Sequence, residues 1–116
     1  MDDVTLYLAR RDAYAAFLTA ADAESNVAWH RVDGRYADER AAVAAVDEAY
    51  AAARGAFTVI EVEGLGPVEE GHAVLAQLAA MHKDHGSTPD WKAFKVAREN
   101  FLRAATGCLQ SMRDDR

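Results

Sequence analysis

Two histidines in the second half of the chain have the spacing of paired metal ligands. His82 and His85 are three residues apart, so on an α-helix both imidazoles would lie on one face and could bind the same divalent ion. A carboxylate from a neighbouring helix, Glu39 or Asp90, would complete the ligand set. The same histidines would also suit the last turn of a helix, where positive charge interacts favourably with the helix dipole. A metal site is therefore one interpretation, and a protein without a cofactor is the other.

Four ring-bearing residues are expected near these histidines. Trp29 and His30 fall at the end of the first predicted helix, Tyr36 follows the turn after it, and Trp91 begins the fourth helix. Aromatic side chains commonly line small-molecule sites, but tryptophans also plug the ends of helical bundles. These four residues therefore predict either a ligand-binding end of the molecule or a structural plug.

Nucleophilic catalysis has little support in the sequence. Cys108 is the only cysteine and lies on an apolar helix face, where it should behave as a small buried hydrophobic residue. The segment GLGP at 64–67 lacks the Lys-Ser or Lys-Thr of a phosphate-binding loop. A Glu-x-x-His unit occurs at Glu69–His72, but di-iron bundles use two such units on two helices. The sequence thus favours a non-enzymatic role.

Four amphipathic helices are predicted to position these residues. Apolar side chains recur every three or four positions in the segments 3–31, 38–64, 67–85 and 88–112, as the buried face of an α-helix requires. Asp33-Gly34 and Gly86 mark two of the turns between them. Ser87 or Thr88 is expected to cap the fourth helix, with Pro89 at its first position.

The segment 38–64 admits two interpretations. Its second half, AFTVIEVEG, is rich in β-branched residues and resembles a strand. However, the three-four spacing of apolar residues continues from Val43 to Ile60, and a lone strand would leave its backbone donors without partners. We therefore predict one helix, ended by a left-handed Gly64 and followed by a new helix with Pro67 at its first position.

The predicted fold class is all-α, an antiparallel up-down-up-down four-helix bundle formed by residues 1–116 as a single domain. Short connections between helices make neighbours antiparallel. The ends of helices one and three would then meet the starts of helices two and four. This arrangement is expected to bring His30, His82 and His85 together at one end of the bundle.

The opposite end of the bundle is expected to gather charged residues. Arg10 and Arg11 flank the inward face of helix one, where a charge must be paired or reach solvent. Ion pairs with glutamates are one interpretation, and a polar pocket lined by tyrosines is the other. The residues concerned are Glu61, Glu63, Glu69 and Glu70 for the ion pairs, and Tyr7, Tyr14 and Tyr50 for the pocket.

Three segments of the chain are similar to small, Ala/Arg-rich helical proteins of actinobacteria. They are YAAFLTAAD at 14–22, VEGLGPVEE at 62–70 and FLRAA at 101–105. The resemblance implies a helical fold and a bacterial host. Because that group has no established activity, it assigns no functional residues.

The composition excludes several classes of partner. A net charge of −6 argues against nucleic acid and anionic membrane surfaces, both of which attract basic proteins. No apolar run is long enough to span a membrane, and the acidic N-terminal residues are unlike a signal peptide. The single cysteine excludes an internal disulfide. We therefore expect a cytoplasmic protein.

Two valines point to protein–protein contact. Val59 and Val62 fall off the inward face of the second helix, and apolar residues on an outer face can mark an interface. The sequence therefore favours a small interaction or regulatory module, acting as a homodimer or docking to a protein partner. The alternative is a ligand- or metal-binding bundle that uses its His/Trp-rich end.

Overall fold

The computed structural model describes residues 2–115, and it confirms the predicted all-α four-helix bundle. No strand occurs within this described part of the chain. In the same residues, no helix combines the length and the apolar character needed to cross a membrane. The elements are α1 (Asp3–Val32), α2 (Glu39–Glu63), α3 (Val68–Ala80), a 3₁₀ turn (Lys83–Gly86) and α4 (Trp91–Asp114).

The helices form an elongated molecule of 53 × 24 × 18 Å. α1 packs along most of α2, and α3 packs along α4. The short turns between successive helices keep each neighbouring pair antiparallel. One end of the molecule therefore holds the end of α1, the start of α2 and the 3₁₀ turn, which also contacts α1.

The 38–64 segment forms one helix, so the strand alternative is excluded. The Asp38 side chain accepts a hydrogen bond from the Ala41 backbone N–H at 2.8 Å, which caps the start of α2. Gly64 ends the helix with φ +72°, as a left-handed C-cap. The β-branched Thr58 is accommodated because its hydroxyl donates to the Arg54 carbonyl at 2.9 Å.

Three phenylalanines from three helices form the centre of the core. Phe17 lies 5.1 Å from Phe57 and 5.0 Å from Phe101 between ring centroids, and all three are buried. Gly71 of α3 packs directly against this cluster. A Cβ atom there would lie 2.1 Å from Cε1 of Phe57, so only glycine permits this separation of α2 and α3.

The buried face of α1 differs from the predicted one at its C-terminal end. The apolar spacing predicts that Val32 faces inward, but it is half exposed. The buried positions instead follow Phe17, Ala21, Glu24 and Ala28, a spacing of four, three and four residues. This buried line includes the acidic Glu24, and its next position, three residues after Ala28, is Arg31. Val43 of α2 is likewise exposed rather than inward.

The third helix is shorter than predicted, and the expectation that it would reach His85 is wrong. α3 ends at Ala80, and Met81 caps it. Asp84 and His85 have left-handed backbone conformations, with φ values of +52° and +60°, which an α-helix cannot contain. His82 and His85 therefore do not share a helix face.

The starts of two helices also differ from the predictions. Asp90 is the N-cap of α4, with its side chain accepting from the Ala93 backbone N–H at 2.9 Å. It takes the place expected for Ser87 or Thr88, because its carboxylate reaches the free N–H of the first turn. Pro67 occupies the cap position before α3 rather than its first helical position.

Candidate functional site

A cleft of about 590 Å³ opens where α1 ends, α2 begins and the 3₁₀ turn packs. Concave openings of this size are typical of sites for small molecules. We call it the His82 cleft. Its lining residues are Arg31, Glu39, Val43, Val46, His82, Asp84 and His85.

A buried carboxylate lies behind this cleft. Glu24 of α1 is completely shielded from solvent, and its Oε1 lies 3.1 Å from Nε2 of His82. Position 24 faces inward because it continues the helical line through Phe17 and Ala21. A buried charge is costly unless it is paired, and His82 supplies the partner.

The Glu24 contact determines how His82 can interact with other groups. An ionised carboxylate only accepts hydrogen bonds, so Nε2 of His82 must carry the donated proton. In a neutral ring, Nδ1 then presents a lone pair and acts as an acceptor. Nδ1 of His82 and Oε2 of Glu24 are both buried and have no hydrogen-bond partner among residues 2–115. The pair thus holds two unused acceptors.

An ion pair closes the other side of the cleft. Arg31 lies one further step along the inward line of α1, and its side chain is only 9% exposed. Its Nη2 donates to Oε1 of Glu39, while its buried Nε has no partner within the described chain. The hydrogen bond from Arg31 lowers the pKa of Glu39, and His85, 3.4 Å away, acts in the same direction.

The 3₁₀ turn beside these groups has a strained backbone. Asp84, His85 and Gly86 all adopt positive φ, at +52°, +60° and +71°. For a residue with a side chain this conformation costs roughly 1–2 kcal/mol. A Cβ atom on Gly86 would lie 3.0 Å from Cδ of Arg31 and 3.4 Å from its Nε. The backbone of the turn therefore covers the Arg31 side chain.

The four predicted metal ligands are only partly brought together. His82, His85 and Glu39 line the His82 cleft. Asp90 instead caps α4 and lines a separate depression with Ala73 and residues of α4. Within the described residues, no group of three or more His, Cys, Asp or Glu side chains is arranged to hold a metal ion. The predicted set of four therefore does not assemble.

The four predicted ligand-binding rings form two pairs outside the cleft. Trp29 and Trp91 meet edge to face with centroids 5.8 Å apart, so they join α1 to the start of α4. His30 and Tyr36 are 6.4 Å apart. None of the four lines the His82 cleft.

The opposite end of the bundle contains the expected ion pair. Arg10 donates to Glu63 at 2.9 Å, whereas Arg11 contacts the exposed Asp12. Tyr14 lies beside this pair, and burial raises its pKa to about 12. The hollow that Arg10 and Tyr14 share is only about 80 Å³, and neither Tyr7 nor Tyr50 lines it. A tyrosine-lined ligand pocket is therefore not formed here.

The sequence predictions omitted Glu24 and Arg31, which are central to the cleft. The signal was present, because both continue the three-four spacing that runs through Phe17, Ala21 and Ala28. A charged residue at an inward position of a helix is itself unusual. Extending the line through polar positions would have identified both residues.

Comparison with known proteins does not add to this geometry. No protein-family model, curated protein or solved structure gives a significant match to the chain. The resemblance to actinobacterial helical proteins therefore stays a prediction, and the site is interpreted from its own residues.

Proposed function

We propose that this protein binds a small polar molecule in the His82 cleft. One observation carries the proposal: of the four buried polar atoms without a hydrogen-bond partner among residues 2–115, three (Glu24 Oε2, His82 Nδ1 and Arg31 Nε) belong to residues in or behind this cleft, and the fourth is the hydroxyl of Tyr14. Protein interiors normally satisfy such atoms. Departures from this rule concentrate at functional sites, so the cluster supports a site shaped for a ligand.

Energetics support the same role. A carboxylate buried against a polar partner is often no more stabilising than apolar residues of similar size. Glu24 and His82 occupy positions where leucine or methionine would complete the core. The strained turn at Asp84 and His85 adds a further unfavourable contribution in the same region. Selection for stability alone does not explain this arrangement, whereas selection for binding does.

A fragment screen followed by ¹H–¹⁵N NMR tests the proposal. Ligands that bind the cleft should shift the resonances of Arg31, Glu39 and His82 in a saturable manner at millimolar concentration. Glu24→Gln and Arg31→Met should weaken these hits. His72→Ala is the matched control, because His72 is an exposed histidine paired with Glu61 outside the cleft. Hits that persist unchanged in both cleft variants, or the absence of any hit, would overturn the proposal.

A second function, self-association, is supported by the outer surface of the α1–α2 pair. Val59 and Val62 are 61% and 80% exposed, and Val59 adjoins Ala9 of α1 in the same hollow. Around them, uncharged residues recur at helical spacing on both helices, together with the exposed Glu48 on α2 and with Arg10 and Glu63 in the hollow itself. The uncharged residues are Ala9, Ala13, Ala16, Ala20, Ala23 and Val27 on α1, and Ala44, Ala51, Ala52 and Gly55 on α2. We infer that this surface receives a second copy of the chain, because small side chains let helices approach closely and C2 dimers are the commonest assemblies.

Sedimentation velocity tests the self-association. Val59→Glu combined with Val62→Glu should convert a dimer to a monomer by introducing charge into the contact. Val96→Glu is the control, since Val96 is a comparably exposed valine on α4. A monomer at all concentrations in the unmodified protein would contradict this second function. Because the single cysteine requires no oxidising environment, we propose that either role is exercised in the cytoplasm.

A further inference from the structure

The His82 cleft has an excess of negative charge. Three carboxylates, those of Glu24, Glu39 and Asp84, lie in or behind it, and among the described residues Arg31 is the one guanidinium that lines it. Counting the two histidines as neutral, the cluster has a net formal charge of −2. A ligand with positive charge is attracted to such a cluster, while an anion is repelled by it.

The guanidinium of Arg31, which carries the positive charge of the cleft lining, is already paired within the protein. Arg31 donates through Nη2 to Glu39, so its charge is neutralised by a group of the protein itself. An anionic ligand would have to compete with Glu39 for this guanidinium. The carboxylate of Asp84, by contrast, is exposed on the 3₁₀ turn, and among the described contacts it has no ion-pair partner.

The unpaired hydrogen-bonding atoms also favour a positively charged ligand. Oε2 of Glu24 and Nδ1 of His82 are acceptors, while Nε of Arg31 is a donor. A matching ligand would therefore present more donors than acceptors. A protonated primary amine supplies three donors and no acceptor, and one hydroxyl or carbonyl oxygen would satisfy Arg31. Val43 and Val46 supply an apolar wall for the carbon chain that joins these groups.

We propose that the ligand of the His82 cleft is a small organic cation: a primary ammonium on a short hydrocarbon chain that also carries a hydroxyl or carbonyl oxygen. This inference rests on the proposed ligand-binding function and assigns its chemical class. The ammonium group binds to Oε2 of Glu24, and the oxygen accepts from Nε of Arg31.

Access to Nε of Arg31 requires the 3₁₀ turn to shift. The backbone of Gly86 lies against Cδ and Nε of Arg31, and His82 immediately precedes the turn. The left-handed conformations of Asp84 and His85 make the closed form less stable than a relaxed backbone would be. Releasing this strain offsets part of the free energy needed to uncover Arg31.

A matched series of five-carbon compounds tests the class of ligand. Pentylamine, 5-amino-1-pentanol, 1-pentanol and pentanoate are titrated separately, and the ¹⁵N signals of the Arg31 side chain and the His82 ring are followed. The amino alcohol should bind best and pentylamine next. Pentanoate should bind at least about tenfold more weakly than the amino alcohol, because it meets three carboxylates.

Two variants probe the charges assigned to binding. Glu24→Gln should weaken amino-alcohol binding by about tenfold, since a charge-assisted hydrogen bond is lost. Asp84→Asn should weaken it by about threefold, and this exposed substitution leaves the fold intact even if Glu24→Gln does not. His72→Ala should leave the affinity unchanged.

The possible outcomes distinguish a failure of the proposed ligand class from a failure of the proposed ligand-binding function. If pentanoate saturates the Arg31 and His82 signals and the amines do not, the cation class is wrong while ligand binding stands. The cation class is also wrong if no compound of the series binds but the fragment screen yields other cleft ligands. If no compound of either set binds the cleft, both the class and the proposed function are overturned.

Discussion

Glu24 and His82 are 58 residues apart in the chain, yet their side chains meet at 3.1 Å in the interior of the bundle. The contact ties the C-terminal third of α1 to the segment that follows α3. Glu24 has no exposed surface, so its carboxylate depends on His82 for a partner. The end of the molecule that contains the cleft is therefore held partly by a polar contact in a region where cores are normally apolar.

The first prediction concerns the stability contributed by this pair. His82→Ala should lower the free energy of unfolding by about 1–3 kcal/mol, because it leaves the buried Glu24 carboxylate without a partner. Replacing both residues, Glu24→Met with His82→Leu, should restore the loss or exceed the stability of the original protein. Urea unfolding followed by circular dichroism measures both.

The control for this prediction is a solvent-exposed histidine–glutamate pair of the same molecule. His72 and Glu61 lie 3.2 Å apart, but both side chains are about half exposed. Glu61→Gln removes the charge of this pair while the His72 ring keeps its edge-on contact with Phe57, so it should change stability by less than about 0.5 kcal/mol. A double cleft variant that is less stable than His82→Ala alone would show that the buried pair stabilises the fold, contrary to our interpretation.

Periodicity is sufficient to predict the helices and much of the core. The spacing from Val43 to Ile60 outweighs the β-branched residues, and Gly64 ends α2 as expected. Periodicity does not predict the structure where individual residues adopt unusual backbone conformations. Nothing in the spacing indicates that Asp84 and His85 are left-handed, so periodicity alone extends α3 too far.

The candidate site is less predictable because its residues are joined by tertiary contacts. The predicted end of the bundle is correct for His82, His85 and Glu39, which line one cleft. Glu24 escapes prediction when the inward face is traced through apolar side chains alone. Its burial depends on His82, a partner 58 positions away, and such a pairing has no local signature.

A second prediction concerns the glycines inside helices. Gly71→Ala should destabilise the protein by about 1–3 kcal/mol, because the added Cβ would lie 2.1 Å from Cε1 of Phe57 and force the core apart. Gly55→Ala should instead stabilise it by about 0.5–1 kcal/mol, since an added Cβ there meets nothing within 4 Å and alanine favours helix. Thermal unfolding of the two variants measures the contrast. Equal effects at both positions would contradict the close packing of α2 and α3.

A third prediction concerns the ionisation of Tyr14. Burial, followed by the neighbouring Cys108, raises its pKa from 10.0 to about 12. Because the pKa of Tyr14 is higher in the folded state than in the unfolded state, its neutral form contributes stability to the fold. This contribution is complete below pH 10.0 and is lost as pH rises through about 12. Ultraviolet titration of tyrosinate absorbance should show one late-ionising tyrosine, and Tyr14→Phe should remove that phase. Tyr36→Phe is the control, and a late phase that survives in Tyr14→Phe would refute the assignment.

The last prediction concerns Glu39, whose pKa is lowered from 4.5 chiefly by the hydrogen bond from Arg31. A depressed folded-state pKa contributes stability that is present above pH 4.5 and is lost as pH falls through the lowered value. Arg31→Met should therefore return the pKa of Glu39 towards 4.5, and ¹³C NMR of the side-chain carboxyl follows this change directly. Arg35→Met is the matched control, because Arg35 pairs with Asp33 on the adjoining turn rather than with Glu39. If Glu39 titrates identically in the original protein and in Arg31→Met, the ion pair that closes the cleft does not form in solution.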